Sequence, residues 1–186
     1  MKYKIGDIAK LQTGLFAKPE AAGEVVYLQV RHFDEKGLLK TELYTDLKHS
    51  KVTEKHLLQE GDILFAAKGT KNFAAVYESH NPPAVASTSF FVIRLNESRV
   101  LPAYLAWYLN HPLIAKQLKE QAIGTATPSI SKAVLEQLEI PVPAVQKQKL
   151  IIELQELIKK EKELQDHIEE LRQNNIQQQI FKAINQ

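Results

Sequence analysis

Leu138-Glu139-Ile140-Pro141-Val142-Pro143 ends a mixed sequence and opens a run to Gln186 that holds no further proline or glycine. A residue before proline is pushed out of the helical region, so Ile140 to Pro143 is extended. The 41 residues from 146 to 186 are dominated by Gln, Glu, Lys, Leu and Ile, and they predict one uninterrupted helix. Leu150, Leu154, Leu157, Leu164, Ile168 and Leu171 alternate spacings of four and three, with Glu161 as the polar interruption, which is a coiled-coil period. Ile151 and Ile158 widen that stripe. Beyond Leu171 the apolar residues move to Ile176 and Ile180 and leave the strict heptad, which suggests a changed partner or a frayed end. About 35 residues at ~1.5 Å each make a rod of roughly 50 Å, which requires a partner helix. The expected organisation is therefore a globular domain over 1–145 and a long coiled-coil helix over 146–186.

Working back from this boundary, the period is helical from Pro102, where Tyr104, Leu105, Trp107, Tyr108 and Leu109 form a stripe ending at Asn110-His111-Pro112. A second helix is expected at about Leu113 to Gln121. Gly124-Thr125-Ala126-Thr127-Pro128-Ser129 is a loop of small polar residues, and Ser129 to Ser131 can cap a short helix through Leu138. Further upstream, Val25 to Val30, Ile63 to Ala67 after Gly61-Asp62, Ala74 to Tyr77 and Ser89 to Leu95 are β-branched or aromatic runs, read as strands of an antiparallel or mixed sheet. Ile5 to Lys10 reads as a short amphipathic turn leading through Gly14 into a polar loop around Ala17 to Gly23. The fold class expected is α+β, a twisted sheet with helices followed by one long helix.

Hydrophobic residues at 44% and charged residues at 25% describe a chain that folds rather than a disordered one. No apolar run approaches the ~18 residues of a membrane span, and the N-terminus lacks an apolar signal core. The reading is cytoplasmic, with no membrane contact. The absence of cysteine excludes disulfides, thiolate catalysis and Cys-type zinc sites. Net charge is only +2, and with the chain split at Val145 the first part carries 17 basic and 15 acidic residues against 7 of each in the remainder. Any positive face must be local.

No phosphate-cradling glycine loop, dinucleotide fingerprint, zinc-protease helix or nucleophile elbow occurs, and no cofactor is expected. Asn81-Pro82-Pro83-Ala84 resembles the loop that amino-methylating DNA methyltransferases hold against a flipped base, but Ala84 removes the stacking aromatic, and a structural turn is the better reading. The histidines at 32, 49, 56, 80, 111 and 167 have no ligand spacing, so no metal is expected. Tyr104, Trp107 and Tyr108 have the helical spacing of core residues rather than of a base-stacking platform.

Several separated segments together resemble the specificity subunits of type I restriction-modification systems. They are Ile5-Gly6-Asp7-Ile8 with Gly14, Tyr27-Leu28-Gln29-Val30, Glu60-Gly61-Asp62-Ile63-Leu64 with Lys68-Gly69, Pro102-Ala103-Tyr104-Leu105, and Gly124 with Thr127-Pro128 and Ile130-Ser131. Leu138 to Pro143 running into the long helix completes the pattern. That family usually follows Pro-x-Pro with a short apolar segment and Glu-Gln, where this chain has Ala144-Val145-Gln146-Lys147-Gln148; Gln148 stands in for part of that motif. Family members commonly carry two recognition domains and two helices, and this chain has one of each. The resemblance implies a half-subunit, two copies of which pair. The apolar stripe predicts that they do so through Leu150, Leu154, Leu157, Leu164, Ile168 and Leu171, packed antiparallel, the alternative being a helix folded back on its own domain.

The same resemblance implies a non-catalytic protein that binds double-stranded DNA and places a DNA methyltransferase, and in some systems a translocating restriction nuclease, on a chosen bipartite site. Base-edge contacts would specify the site and phosphate contacts hold the register. The candidates are polar loop residues beside the sheet: Thr13, Lys18, Arg31, His32, Lys48, Lys51, Lys68, Gly69, Lys71, Asn72, Thr125 and Thr127. Lys68-Gly69-Thr70-Lys71-Asn72 combines a close-approach glycine, two cations and an amide able to pair with adenine. The rival reading is a coiled-coil adaptor whose globular domain binds protein rather than DNA.

Overall fold

The computed structural model describes residues 1–20, 22–34, 37–40, 43–69, 71–124 and 128–185, and the chain divides into two compact units, Met1–Gln148 and Lys149–Gln186. The first unit is built on a four-stranded antiparallel sheet of β2 (Ala9–Thr13), β7 (Phe90–Leu95), β4 (Ile63–Ala66) and β5 (Ala74–Val76), in that order. Beside it, β3 (Val26–Leu28) runs parallel to β6 (Ala84–Ala86), and β1 (Lys2–Lys4) pairs antiparallel with β8 (Glu139–Pro141).

Strand β3 explains its own composition. Val26 and Leu28 enter one core with Leu64, Phe90 and Val92, while Val25 and Tyr27 on the other face enter a second with Leu47, Val52 and Val85. A strand buried on both faces reads as a continuous apolar run, as this one does. The outer edge of the larger sheet is closed by a side chain: the Asn110 amide donates to the Ala74 carbonyl at 2.7 Å and accepts from its N–H at 2.8 Å. One edge residue thus has both its groups satisfied without a further strand. At the start of β4, Gly61 takes φ +84° and Asp62, 1% exposed, receives the Arg94 guanidinium on both carboxylate oxygens at 2.7 and 2.6 Å.

The helices begin where the sequence marks them. α2 (Pro102–Asn110) and α3 (Pro112–Glu120) each open on proline, whose fixed φ suits a first helical position. The short α4 (Lys132–Gln137) is capped by the Ser131 hydroxyl, which accepts from the Val134 N–H. Tyr104 is buried and donates to the Pro141 carbonyl at 2.7 Å, and Tyr108 donates to that of Glu139 at 3.0 Å. These aromatics pack the domain, in line with their helical spacing. Asn81 to Pro83 form the turn before β6, braced by the Tyr77 hydroxyl on the Pro82 carbonyl.

Two expectations change. Ile5 to Ile8 form the expected turn as the brief helix α1, but Ala9 to Thr13 continue as β2, with Ala9 and Leu11 buried and Lys10 exposed. An alternation of five residues after a helical turn is too short to set a strand period of its own. The parallel β3–β6 pair is also new, since β6 offers only three small apolar residues between a turn and Ser87.

The last helix, α5 (Val145–Ile184), spans 40 residues, about 60 Å at 1.5 Å per residue. Within the second unit, Leu150, Leu154, Leu157, Leu164, Ile168 and Leu171 are each 48–63% exposed. No helix among the described residues is long and apolar enough to cross a membrane.

Candidate nucleic-acid interface

Antiparallel pairing gathers the chain reversals at one end of the four-stranded sheet. Thr13 at the end of β2 is level with Phe91 near the start of β7, and Ala66 at the end of β4 with Phe90. Thr13, the turn Ser87-Thr88-Ser89, and Lys68-Gly69 beyond β4 therefore share one rim. Backbone hydrogen bonds join them: Gly14 N–H to Phe90 (3.1 Å), Leu15 to Ala86 (2.8 Å) and Ala67 to Ser89 (2.9 Å). Gly14 is required here because a Cβ would sit 2.1 Å from the Ser87 carbonyl oxygen.

Other segments reach the same rim. Gly69 donates to Pro128 at 3.0 Å, and Lys68 and Ser129 form a β-bridge, so Pro128 and Ser129 lie against this segment. Gly69 takes φ +100° with open space around it, so its glycine serves backbone conformation rather than room. Leu28 accepts from Ser87 N–H at 2.8 Å, and the 3-10 turn Val30–His32 follows directly. Rings of Phe33, Phe73 and Phe90, with centroids 5.1 to 6.0 Å apart, tie that turn to the segment after Lys71 and Asn72.

Thr13, Arg31, His32, Lys68, Gly69, Lys71 and Asn72 thus converge, and Lys40 joins them by donating its ammonium to the Arg31 carbonyl at 2.8 Å. Lys68 and Arg31 are exposed. A near-neutral chain thereby acquires a local group of cations among hydroxyl-bearing turns, the composition that phosphate and base-edge contacts need. Asn72 is partly committed, since its amide donates to the Ala66 carbonyl at 2.8 Å and closes the loop.

Lys18, Lys48 and Lys51 stand apart, by the start of β3. Lys48 pairs with Glu20 at 3.5 Å, next to Leu47, which bridges Val25. Ala17, the neighbour of Lys18, donates its N–H to the Tyr27 hydroxyl. Lys51 closes a 3-10 turn whose His49 N–H rests on Glu24, and its side chain lies outside the described residues, as do Thr125 and Thr127. The residues that sequence reasoning passed over are Ser87, Thr88 and Ser89. Three consecutive hydroxyls between apolar runs were the available signal, and the Ser87 hydroxyl is buried with no hydrogen-bond partner among the described residues.

His32 closes its own 3-10 turn through a local capping hydrogen bond. Its Nδ1 accepts from the Gln29 N–H at 3.2 Å, and burial, then the adjacent Arg31, lowers its pKa. His56 is lowered chiefly by burial as well, then by Lys55. A histidine whose folded pKa is depressed contributes stability that is complete above the unfolded value and is lost as pH falls through the folded one. Thermal melts between pH 7.5 and 5.5 should therefore show a falling transition, with a shallower fall for a His32→Gln/His56→Gln chain. Parallel slopes would show that neither histidine drives it.

A family model described as the type I restriction modification DNA specificity domain matches residues 1–173. No curated protein matches the sequence. Similar solved structures include the HsdS subunit from Thermoanaerobacter tengcongensis, at 17% identity and TM-score 0.63, covering 87% of this chain and 37% of that one. The type I restriction-modification S subunit from M. genitalium aligns at 15% identity and TM-score 0.59, covering 86% and 39%. A chain from a structural study of complex assembly and conformational transition in the type I R-M system aligns at 15% and 0.63, covering 87% and 38%. At these identities the likeness is one of fold, and this chain spans less than two-fifths of their length.

Proposed function

The chain belongs to the family of type I restriction modification DNA specificity domains, and from that premise we propose that it is a non-catalytic half-subunit that reads duplex DNA and carries a methyltransferase to it. The observation that supports this most is the rim itself: sequence-distant polar loops, from Thr13 to the Pro128 flank, meet at one sheet end with Arg31, Lys40, Lys68 and Lys71. Arg31 and Lys68 supply phosphate contacts, and the hydroxyl turn and the Lys68 to Asn72 loop read base edges. Thr125 and Thr127, which lie outside the described residues, are proposed as members of the same set because they directly precede Pro128 in the sequence. Lys18, Lys48 and Lys51 are at most peripheral.

Two copies pair through the exposed stripe of α5, with helices antiparallel. A two-fold arrangement of this kind presents two recognition units to an inverted, gapped site. The complex works in the cytoplasm, with a restriction nuclease added in systems that cleave. Methylome sequencing of cells expressing this chain with a type I methyltransferase subunit tests the whole reading. A bipartite, strand-symmetric methylated motif is expected, and its absence from an assembled, active complex would overturn it.

Within that complex, Lys68→Ala with Lys71→Ala should weaken binding and lower the slope of log affinity against log salt by about 2, since each phosphate contact contributes about 0.9. Unchanged affinity and slope, with an unchanged thermal transition, would remove this loop from the interface. Binding to protein but to no duplex, at any salt concentration, would favour a coiled-coil adaptor instead.

A further inference from the structure

Phe16 is 75% exposed, whereas Phe33, Phe65 and Phe90 are buried and Phe73 and Phe91 half-buried. A lone exposed aromatic on a free loop needs no account, but Phe16 is not on a free loop. Leu15 and Ala17, on either side of it, pack against the core of Val25, Tyr27, Leu47, Val52 and Val85, so the ring between them faces away from that core. The hydroxyl of buried Tyr27 clips both flanks, donating to the Leu15 carbonyl at 2.9 Å and accepting from the Ala17 N–H at 3.3 Å. Leu15 is tied again through its N–H to the Ala86 carbonyl and through a parallel bridge to Ser87. The fold thus fixes the backbone around Phe16 and leaves its ring in water.

The bridge to Ser87 sets this apex beside the hydroxyl turn Ser87-Thr88-Ser89, and exposed Thr13 and Lys18 flank it in the chain. The inference rests on the reading of that rim as a surface for duplex DNA, proposed above. Hydroxyls and cations there meet phosphates and base edges through polar contacts, to which a benzyl ring adds nothing. On a duplex the largest apolar surface open to such a ring is the stacked face of a base. Apolar side chains that reach it enter between two base pairs and bend the duplex by about 20–90°. A ring already held in position by Tyr27 loses little freedom on entering.

We propose that Phe16 is a wedge that enters one base-pair step of the bound duplex and kinks it, with Tyr27 as the residue that positions it. The wedge adds discrimination without a hydrogen bond, because steps that unstack easily accept it at lower cost. The test assembles full-length unaltered, Phe16→Ala and Phe16→Trp chains with a methyltransferase subunit on a duplex bearing the methylated motif, with a donor and an acceptor dye at its two ends. Phe16→Ala should weaken binding roughly tenfold or more at every salt concentration. The slope of log affinity against log salt should not change, since no phosphate contact is lost. End-to-end energy transfer should fall as the kink relaxes, and Phe16→Trp should restore both affinity and transfer. The thermal transition should stay within about 2 °C, as for other exposed side chains. Unchanged affinity and energy transfer in Phe16→Ala overturns the wedge and leaves the DNA reading standing. Weaker binding with unchanged transfer overturns insertion in favour of a groove-surface contact. Weaker association with the methyltransferase subunit in the absence of DNA overturns it in favour of a protein contact. An unaltered complex that binds no duplex overturns both readings.

Discussion

On the pairing proposed above, a chain carrying Leu157→Asp and Leu164→Asp is expected to be a monomer at micromolar concentrations at which the unaltered chain is expected to sediment as a dimer. Both side chains lie in the middle of the stripe and are more than 60% exposed within their own chain. A two-fold interface counts every substitution twice, so four apolar contacts are replaced by carboxylates. Burial of each such side chain is worth on the order of 1.5 kcal/mol at the low end, which makes roughly four orders of magnitude in the dissociation constant before charge repulsion is added. Sedimentation or light scattering measures the change, and circular dichroism checks that the helix persists. A variant that still sediments as a dimer would place the contact elsewhere. On the proposed function, methylation of a bipartite motif should disappear with the dimer, because a single chain would read one half-site.

Gln148→Leu should be the most damaging single change in the first turn of α5. Gln148 is fully buried: its Oε1 accepts from the Leu101 N–H at 2.9 Å, and its Nε2 donates to the carbonyls of Arg99 at 2.7 Å and Pro143 at 2.8 Å. Leucine keeps much of the volume but leaves three backbone groups without their partner. Each unmet buried group costs about 1 to 3 kcal/mol, and with water reaching the less buried ones a total near 3 kcal/mol is expected, or a transition lower by roughly 6 to 12 °C for a chain of this size. Gln148→Glu keeps the Leu101 acceptor but loses both donated bonds, so it should rescue little. A transition within 2 °C or so of the unaltered chain in Gln148→Leu would mean that these bonds are replaced by others.

The same residue decides where a domain-only chain can be cut. A boundary drawn at Val145 from the change in composition removes Gln148 and orphans Leu101 and Arg99. A chain ending at Glu156 retains the anchor, and is the proper monomeric control for the stripe substitutions. The family resemblance singled out Gln148 as a stand-in for part of a motif, but its chemistry became evident only when the backbone groups it satisfies were seen around it.

The features with local causes are legible in the sequence. Pro102 and Pro112 start α2 and α3, Ser131 caps α4, the Pro141 and Pro143 pair ends the globular region, and the absence of proline and glycine with a four-and-three spacing from Leu150 to Leu171, interrupted at Glu161, makes α5 a long helix with an exposed stripe. Each follows from contacts within a few residues, where proline geometry, capping and periodicity act. Thr13, Arg31, Lys68 and Asn72 could likewise be named as polar residues at strand ends. That these four share a rim, with Ser87 to Ser89 beside them, while Lys18, Lys48 and Lys51 stand by the start of β3, follows from pairings between residues far apart in the chain. The same long-range pairing closes β1 on β8 from opposite ends of the first unit, and makes β2 and β6 strands at all. Strands of three to five residues carry almost no signal of their own, because their backbone groups are satisfied by partners remote in sequence, and which partners those are is settled by burying both faces of β3 at once.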